Sequence, residues 1–262
     1  MKWPLSFISQ ADFENHVLDT IKNYGKKLDS YDVKKFNSNI IDPIKLIFDK
    51  SVYGLSWEEI IKSEIFRQRD KSNNNDIGYF HQNIFKYMDS CEVPPVGWDV
   101  IFTPDTEINV GDGVNVSRVF VEMKNKHNTM NSSSSAKTYI KMQAQMNKDD
   151  ECACFLVEAI AKKSQNIAWT VTVDGDNFKH KRVRRVSMDQ FYALITGQED
   201  AFYQMCMILP DVVNKVVSEN KGKAVPVDSV FVELEKQVSD NKINFVMALY
   251  LLGFNSYNQF KS

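Results

Sequence analysis

The sequence predicts an α/β protein: a small mixed β-sheet flanked by helices, with helical additions at both ends. Three observations carry this. Before residue 90 the apolar residues recur with a helical period. Between 97 and 186 the period shortens to that of strands, with one helical stretch inside. After 187 the helical pattern returns. The expected organisation is a single domain over 1–262, with a helical part at 1–90, a sheet core at 91–186 and a helical part at 187–262.

In the first part, ADFENHVLDTIKNYGKKL sets Phe13, Val17, Ile21 and Tyr24 on one helix face, and Gly25 can close the helix. SWEEIIKSEIFRQRDK opens on Ser56 with Glu59 three residues later, the pattern of a capping box. Its apolar face is Ile60, Ile61, Ile65 and Phe66. SNNND reads as a polar break, and IGYFHQNIFKYMDS as a third helix burying Ile77, Phe80, Ile84, Phe85 and Met88. GWDVIF and RVFVEMK read as strands, separated by turn signals at Pro104 and at Gly111-Asp112-Gly113. SSSSAKTYIKMQAQMNKD reads as a helix whose serines can cap free N–H groups. CACFLVEAI and IAWTVTV follow as strands, then the helix-rich tail.

Composition narrows the function classes. The 262 residues are 43% hydrophobic and 25% charged, the balance of an ordinary globular protein. No apolar run is long enough to span a membrane. The N-terminal stretch does not read as a signal peptide, so a cytoplasmic protein is expected. A net charge of −2 gives no global sign of nucleic-acid binding. A DNA enzyme of this balance must gather its basic residues on one face. Cys152 and Cys154 have no second ligand pair near them and read as small hydrophobes rather than a zinc site.

One stretch does not suit a buried strand. In VFVEMKNKHNTMNSSSS, Val119, Phe120, Val121 and Met123 suit a sheet interior, yet Glu122 and Lys124 stand at the strand's end and Lys126 follows. Charges in an apolar sheet cost free energy unless paired. Residues two apart share a strand face, so Phe120, Glu122 and Lys124 point one way and Val121 and Met123 the other. The preceding strand supplies Asp99, and the intervening residues are ample for a hairpin that brings the two carboxylates together. Asp105, in the turn-like TPDTE, competes for the first acid. Two carboxylates can bind Mg²⁺, which polarises a phosphate and lowers the pKa of a bound water. Lys124 can position that water and offset charge on the phosphate oxygens. The plainer reading is an ion pair between Glu122 and Lys124 at a strand edge.

Asp99 followed by Glu122-x-Lys124 is the pattern of the PD-(D/E)xK nuclease superfamily. The wider sequence resembles a family of type II restriction endonucleases that recognise five-base-pair sites of the G-G-N-C-C kind. KSEIFRQRDK (62–71), IGYFHQNI (77–84), FVEMKNKHNT (120–129), FYALITGQEDAF (191–202) and MILP (207–210) carry the resemblance, over roughly residues 40–210. The insertion between Asp99 and Glu122 is longer than that pattern leads one to expect, which leaves the first acid open.

The resemblance implies a restriction endonuclease-like core, Mg²⁺-dependent hydrolysis of double-stranded DNA, Asp99 and Glu122 as metal ligands and Lys124 as the catalytic lysine. His81, Gln82 and Lys126 are possible supporting groups, although His81 also reads as an ordinary helix residue beside Phe80. Candidate DNA contacts are Arg67, Gln68, Arg69 and Lys71, then Asn125, Asn128, Thr129, Ser132 and Ser133, and Arg182 and Arg184 within HKRVRRV. Each set has a plainer reading: a solvated helix face, a serine linker, an exposed strand face. A two-fold DNA site implies a homodimer, for which the apolar FVMALYLLGF is one candidate surface, and a cognate DNA methyltransferase in the same host. The alternatives are a repair or junction nuclease on the same core, and a non-catalytic DNA-binding module.

Overall fold

The computed structural model describes residues 3–26, 29–220 and 227–254. The described residues fall into two compact units, one within 1–21 and 76–220, the other within 22–75 and 221–262. Each unit draws on distant parts of the chain.

The first unit holds the sheet. Its strands are β1 (Cys91–Glu92), β2 (Val100–Phe102), β5 (Arg118–Lys126), β6 (Cys152–Ile160), β7 (Asn166–Val173) and β8 (Asp176–Ser187), in the spatial order β1-β2-β5-β6-β8-β7. A separate hairpin pairs β3 (Ile108–Asn109) with β4 (Asn115–Val116). β2 runs antiparallel to β5, with Val100 opposite Val121. β5 and β6 are parallel, joined through helix α5 (Ser132–Met146), and β6 and β8 are also parallel. A parallel pair needs such a crossover, and α5 supplies it.

The central strands are buried on both faces, which is why β6 reads as a continuous apolar run. On one face Val119, Val121, Phe155, Val157 and Val186 join the main core with Phe85, Phe191 and Tyr192. On the other, Phe120, Cys154, Leu156 and Val183 pack against Tyr139 and Met142 of α5. The division of β5 into Phe120 on one side and Val119 and Val121 on the other follows the alternation expected for that strand. Cys152 and Cys154 are buried free thiols within this second layer.

Helix α1 (Gln10–Lys26) buries Phe13 and Val17, but it runs past Gly25 instead of ending there. His16 of α1 is buried with its Nε2 2.9 Å from the Phe80 carbonyl oxygen. Burial first, against the support of that carbonyl, pulls its pKa down from 6.5 to about 4. Because the folded value is depressed, the stability this group contributes is present above pH 6.5 and is lost as pH falls toward 4. The loss amounts to about 3 kcal/mol at 1.36 kcal/mol per unit. A His16→Gln variant is expected to show a shallower drop in melting temperature over that window; identical curves for both proteins would refute it.

The second unit is helical: α2 (Val33–Phe36), α3 (Pro43–Tyr53), the first part of α4 (Trp57–Asn83), α8 (Val230–Asn241) and α9 (Phe245–Gly253). Its core gathers Phe36, Leu46, Ile61, Ile65, Leu234 and Leu249. The remaining helices, α6 (Met188–Thr196) and α7 (Ala201–Glu219), belong to the first unit.

The structure departs from several expectations. The stretch SNNND does not break the chain: α4 is continuous through it, since Asn and Ser cost only a few tenths of a kcal/mol each in a helix interior. Phe66 and Ile77 lie exposed on α4, displaced from the apolar face by Glu64 and Asp76, which are buried. The cap of α5 is Asn131, whose Oδ1 accepts the Ser134 N–H, while the serines form the first turn. Within FVMALYLLGF, Ala248 and Leu249 are spent on the core of the helical unit.

Candidate active site

The site forms where β2 meets the end of β5. The Asp99 N–H donates to the Val121 carbonyl at 3.0 Å, extending the antiparallel ladder one residue before β2 begins. The side chain then turns onto β5, where Oδ2 accepts the Met123 N–H at 2.7 Å. The Asp99 carbonyl is held by Gln82 Nε2 at 3.2 Å, from the last turn of α4. Backbone and side chain of Asp99 are thus both pinned.

Glu122 is clamped between two ammonium groups. Lys124 Nζ donates to Oε1 at 2.8 Å and Lys141 Nζ to Oε2 at 2.8 Å. Lys141 also donates to the Gly97 carbonyl and lies 4.1 Å from the centre of the Trp98 ring, a cation–π contact. Trp98 in turn packs on Phe120. Helix α5 therefore does more than cross over the sheet: it delivers a second lysine to the end of the strand.

The two acids are pushed apart. Burial raises the pKa of Asp99, and Glu122 beside it adds to the rise; the Met123 N–H and the two lysines oppose it without cancelling it. Burial also works to raise Glu122, but the hydrogen bonds from Lys124 and Lys141 outweigh it and leave that pKa lowered. Among the described residues no group of three or more His, Cys, Asp and Glu gathers in a way that could hold a metal. The pair Asp99 and Glu122 still fits a hard divalent cation. Carboxylate oxygens are the donors such ions take, Mg²⁺ keeps several waters in its shell, and a cation would relieve the raised Asp99 carboxyl.

Of the other candidates, Asp105 lies in an exposed bend and makes none of the contacts that tie Asp99 to β5. Gln82 braces Asp99 through its backbone. His81 is half-buried with an unpartnered buried Nδ1, and burial lowers its pKa, so it stays neutral. Lys126, Asn128 and Thr129 are exposed after the strand, and Thr129 Oγ1 donates to the Lys126 carbonyl. Asn125 is half-buried, and its side chain approaches Gly78 so closely that a Cβ there would meet Oδ1 at 3.2 Å. Ser132 and Ser133 are exposed at the start of α5.

The basic candidates are mostly committed elsewhere. Arg67 pairs with buried Glu64. Gln68 donates to the Phe36 carbonyl and to Glu64. Arg69 makes a two-pronged pair with Asp228 and lies over the Tyr31 ring. Lys71 is exposed on α4. Arg182 donates to the carbonyls of Asp150 and Cys152. Arg184 is 1% exposed, so it is not on a solvated strand face. It bonds Asp112, both Asn166 oxygens and the Lys181 carbonyl.

Two groups near the site escaped the sequence reading. Lys141 was legible only as one polar position in an amphipathic helix, though helix spacing places it next to buried Met142. Glu158, at the end of β6, is 2% exposed and is approached by Arg185 from β8. A single charged residue inside an otherwise apolar strand was the available signal. Burying a charged oxygen without a partner, as at Glu158 Oε2, costs about 1–3 kcal/mol or more.

Asp99, just ahead of β2, thus stands beside the Glu122-x-Lys124 end of β5. The family described as Eco47II restriction endonuclease matches residues 5–218. The chain belongs to that family. It is 30% identical to the type II restriction enzyme Sau96I of Staphylococcus aureus, covering 90% of each chain. It is 28% identical to the type II restriction enzyme Eco47II of Escherichia coli, over 84% of this chain and 90% of that enzyme. As a member of the Eco47II restriction endonuclease family the protein is a DNA endonuclease, a hydrolase that cuts at specific sites. The family assignment displaces the repair-nuclease and non-catalytic alternatives. The mixed sheet with flanking helices is consistent with a restriction endonuclease-like fold. Among the described residues no helix is long and apolar enough to cross a membrane.

Proposed function

We propose that this family member is a Mg²⁺-dependent type II enzyme cutting double-stranded DNA at a short near-palindromic site of the G-G-N-C-C kind. Asp99, Glu122 and Lys124 carry the reaction. The observation that supports this most directly is the convergence of Asp99, Glu122, Lys124 and Lys141 at one strand end, with Asp99 bonded to β5 itself. Mg²⁺ held by Asp99 and Glu122 would polarise the scissile phosphate and make a bound water acidic. The protein's part is orientation and charge. The Met123 N–H and Gln82 keep Asp99 aimed. Lys124 positions the attacking water and offsets negative charge building on the phosphate oxygens. Lys141 keeps Glu122 extended against the Trp98 floor.

Phosphate contact falls to the exposed polar residues that follow β5: Lys126, Asn128, Thr129, Ser132 and Ser133. The N–H groups at the start of α5 suit phosphate oxygens. A two-fold site is read most simply by a homodimer, with a cognate methyltransferase protecting the host's DNA in the cytoplasm.

A digest of a sequenced plasmid tests the reading. With Mg²⁺ discrete fragments are expected, and sequencing their ends gives the site and the stagger. Chelation should stop the reaction. Random degradation, or no cutting with any divalent cation, would count against it.

A further inference from the structure

We infer that Glu158 is a positioning residue for Lys124, the buried acceptor that receives the Lys124 ammonium when Glu122 turns to the reaction. This rests on the role proposed for Lys124 in catalysis. β5 and β6 run parallel with Lys124 directly beside Glu158. Earlier pairs of the same ladder, Phe120 with Cys154 and Glu122 with Leu156, share the α5 side of the sheet, so Lys124 and Glu158 share it too. Neighbouring strands stand about 4.8 Å apart, within reach of a lysine stem.

The hydrogen bonding at Glu158 is lopsided. Arg185 places both its Nε, at 2.9 Å, and its Nη2 on the same oxygen, Oε1. The Nη2 group also donates to the His127 carbonyl at 3.0 Å. A guanidinium facing a carboxylate ordinarily engages both oxygens in parallel. Here Oε2 is left buried and without a partner. A buried open acceptor beside a lysine needs an occupant, and the register supplies one.

Glu122 explains when the transfer occurs. Each of its oxygens is taken by an ammonium group, so another positive charge arriving there must displace one. Lys141 can give up Oε2 and keep the Gly97 carbonyl and the Trp98 face. Lys124 has no such second hold among the described residues; Glu158 Oε2 is the open acceptor next to it in the ladder. Arg185, from β8, fixes the Glu158 carboxylate through Oε1. Lys124 would thus be held between the two acids at the height of the reacting phosphate instead of swinging into solvent.

The test uses the full chain with Glu158→Gln, Lys124→Gln and the double variant. The readouts are single-turnover cleavage of a plasmid the wild type cuts, DNA affinity without added metal, and melting temperature. Glu158→Gln keeps an acceptor for Arg185 and is expected to slow cleavage about 10–100-fold. DNA affinity should stay unchanged, and the melting curve confirms that the variant is folded at the assay temperature. The double variant should be no slower than Lys124→Gln alone, because a residue acting through another adds nothing once that other is gone. Glu158→Asp, which keeps the charge but withdraws the oxygen, should slow cleavage in the same direction. It serves if the Gln variant does not fold. Wild-type rates for Glu158→Gln and Glu158→Asp, or losses that simply add in the double variant, would overturn the assignment. If Lys124→Gln itself cuts at the wild-type rate, the reading of Lys124 fails, and Glu158 with it. If Lys124→Gln is impaired while Glu158→Gln is not, only the inference about Glu158 fails.

Discussion

Glu122→Gln is expected to reduce DNA cleavage on the order of 10³-fold, the loss seen when a preorganised charge-stabilising group is removed from an active site. The change keeps the side chain's shape but removes the charge that Lys124 and Lys141 converge on, and it leaves one acceptor oxygen for the two ammonium groups. DNA binding should persist or tighten, because two lysines then face the phosphates with one acid fewer between them. Cleavage assays and gel shifts on the same preparations separate the two effects. Retained cleavage would dismantle the proposed site. Abolished binding together with abolished cleavage would point instead to a disrupted strand end, which a melting curve would reveal.

Arg184→Met should lower stability by about 2–3 kcal/mol, the scale for removing a buried group with several charge-assisted hydrogen bonds. Most of this comes from the two Asn166 oxygens and the Lys181 carbonyl, which lose their donor. Asp112 is more than half exposed and its pair adds little. Gly111 depends on the same guanidinium: its φ is +106° and the space where a Cβ would stand is filled by the Arg184 head group. Urea unfolding would read the shift in midpoint at constant m-value. The salt dependence of DNA binding should not change, since a cation that neutralises one phosphate makes that slope steeper by about one, and a buried Arg184 neutralises none. A shallower slope in the variant would restore Arg184 to the DNA-facing set.

How far a reading along the chain can go is clearest at particular residues. β5 and β6 were legible because burial on both faces leaves an unbroken apolar stretch with strand formers, and the two charges at the end of β5 had no structural excuse. Asp99 was legible by its position before a short apolar strand, although only the fold shows its Oδ2 on the Met123 N–H. The Arg67–Glu64 pair, three residues apart on α4, was open to a local reading. The fate of Arg69 and Arg184 was not legible. They look like solvent or DNA contacts in a linear reading, yet their partners Asp228 and Asn166 lie far along the chain and no local spacing encodes such pairs. Lys141 and Glu158 escaped for the same reason, since their roles exist only through the docking of α5 and the register of β6 against β5. α2 gives little signal because it is a single turn, whereas α8 carries Val230 and Leu234 one helical turn apart and was passed over all the same.

The two-unit division bears on the order in which the protein can be completed as it is made. The helical unit takes Phe36, Leu46 and Ile61 from early in the chain and Leu234 and Leu249 from late in it. At a translation rate of about 5–20 residues per second, those early apolar side chains must wait roughly 10–40 seconds for the covering helices to be synthesised. The strands bearing Glu122 and Glu158, and Asp99 just ahead of β2, are all synthesised within that interval. Exposure of the waiting half to chaperones and proteases therefore belongs to the biosynthesis of this nuclease, and its cellular yield should respond more to substitutions at Leu234 or Leu249 than to equally buried positions whose partners lie close by in the chain.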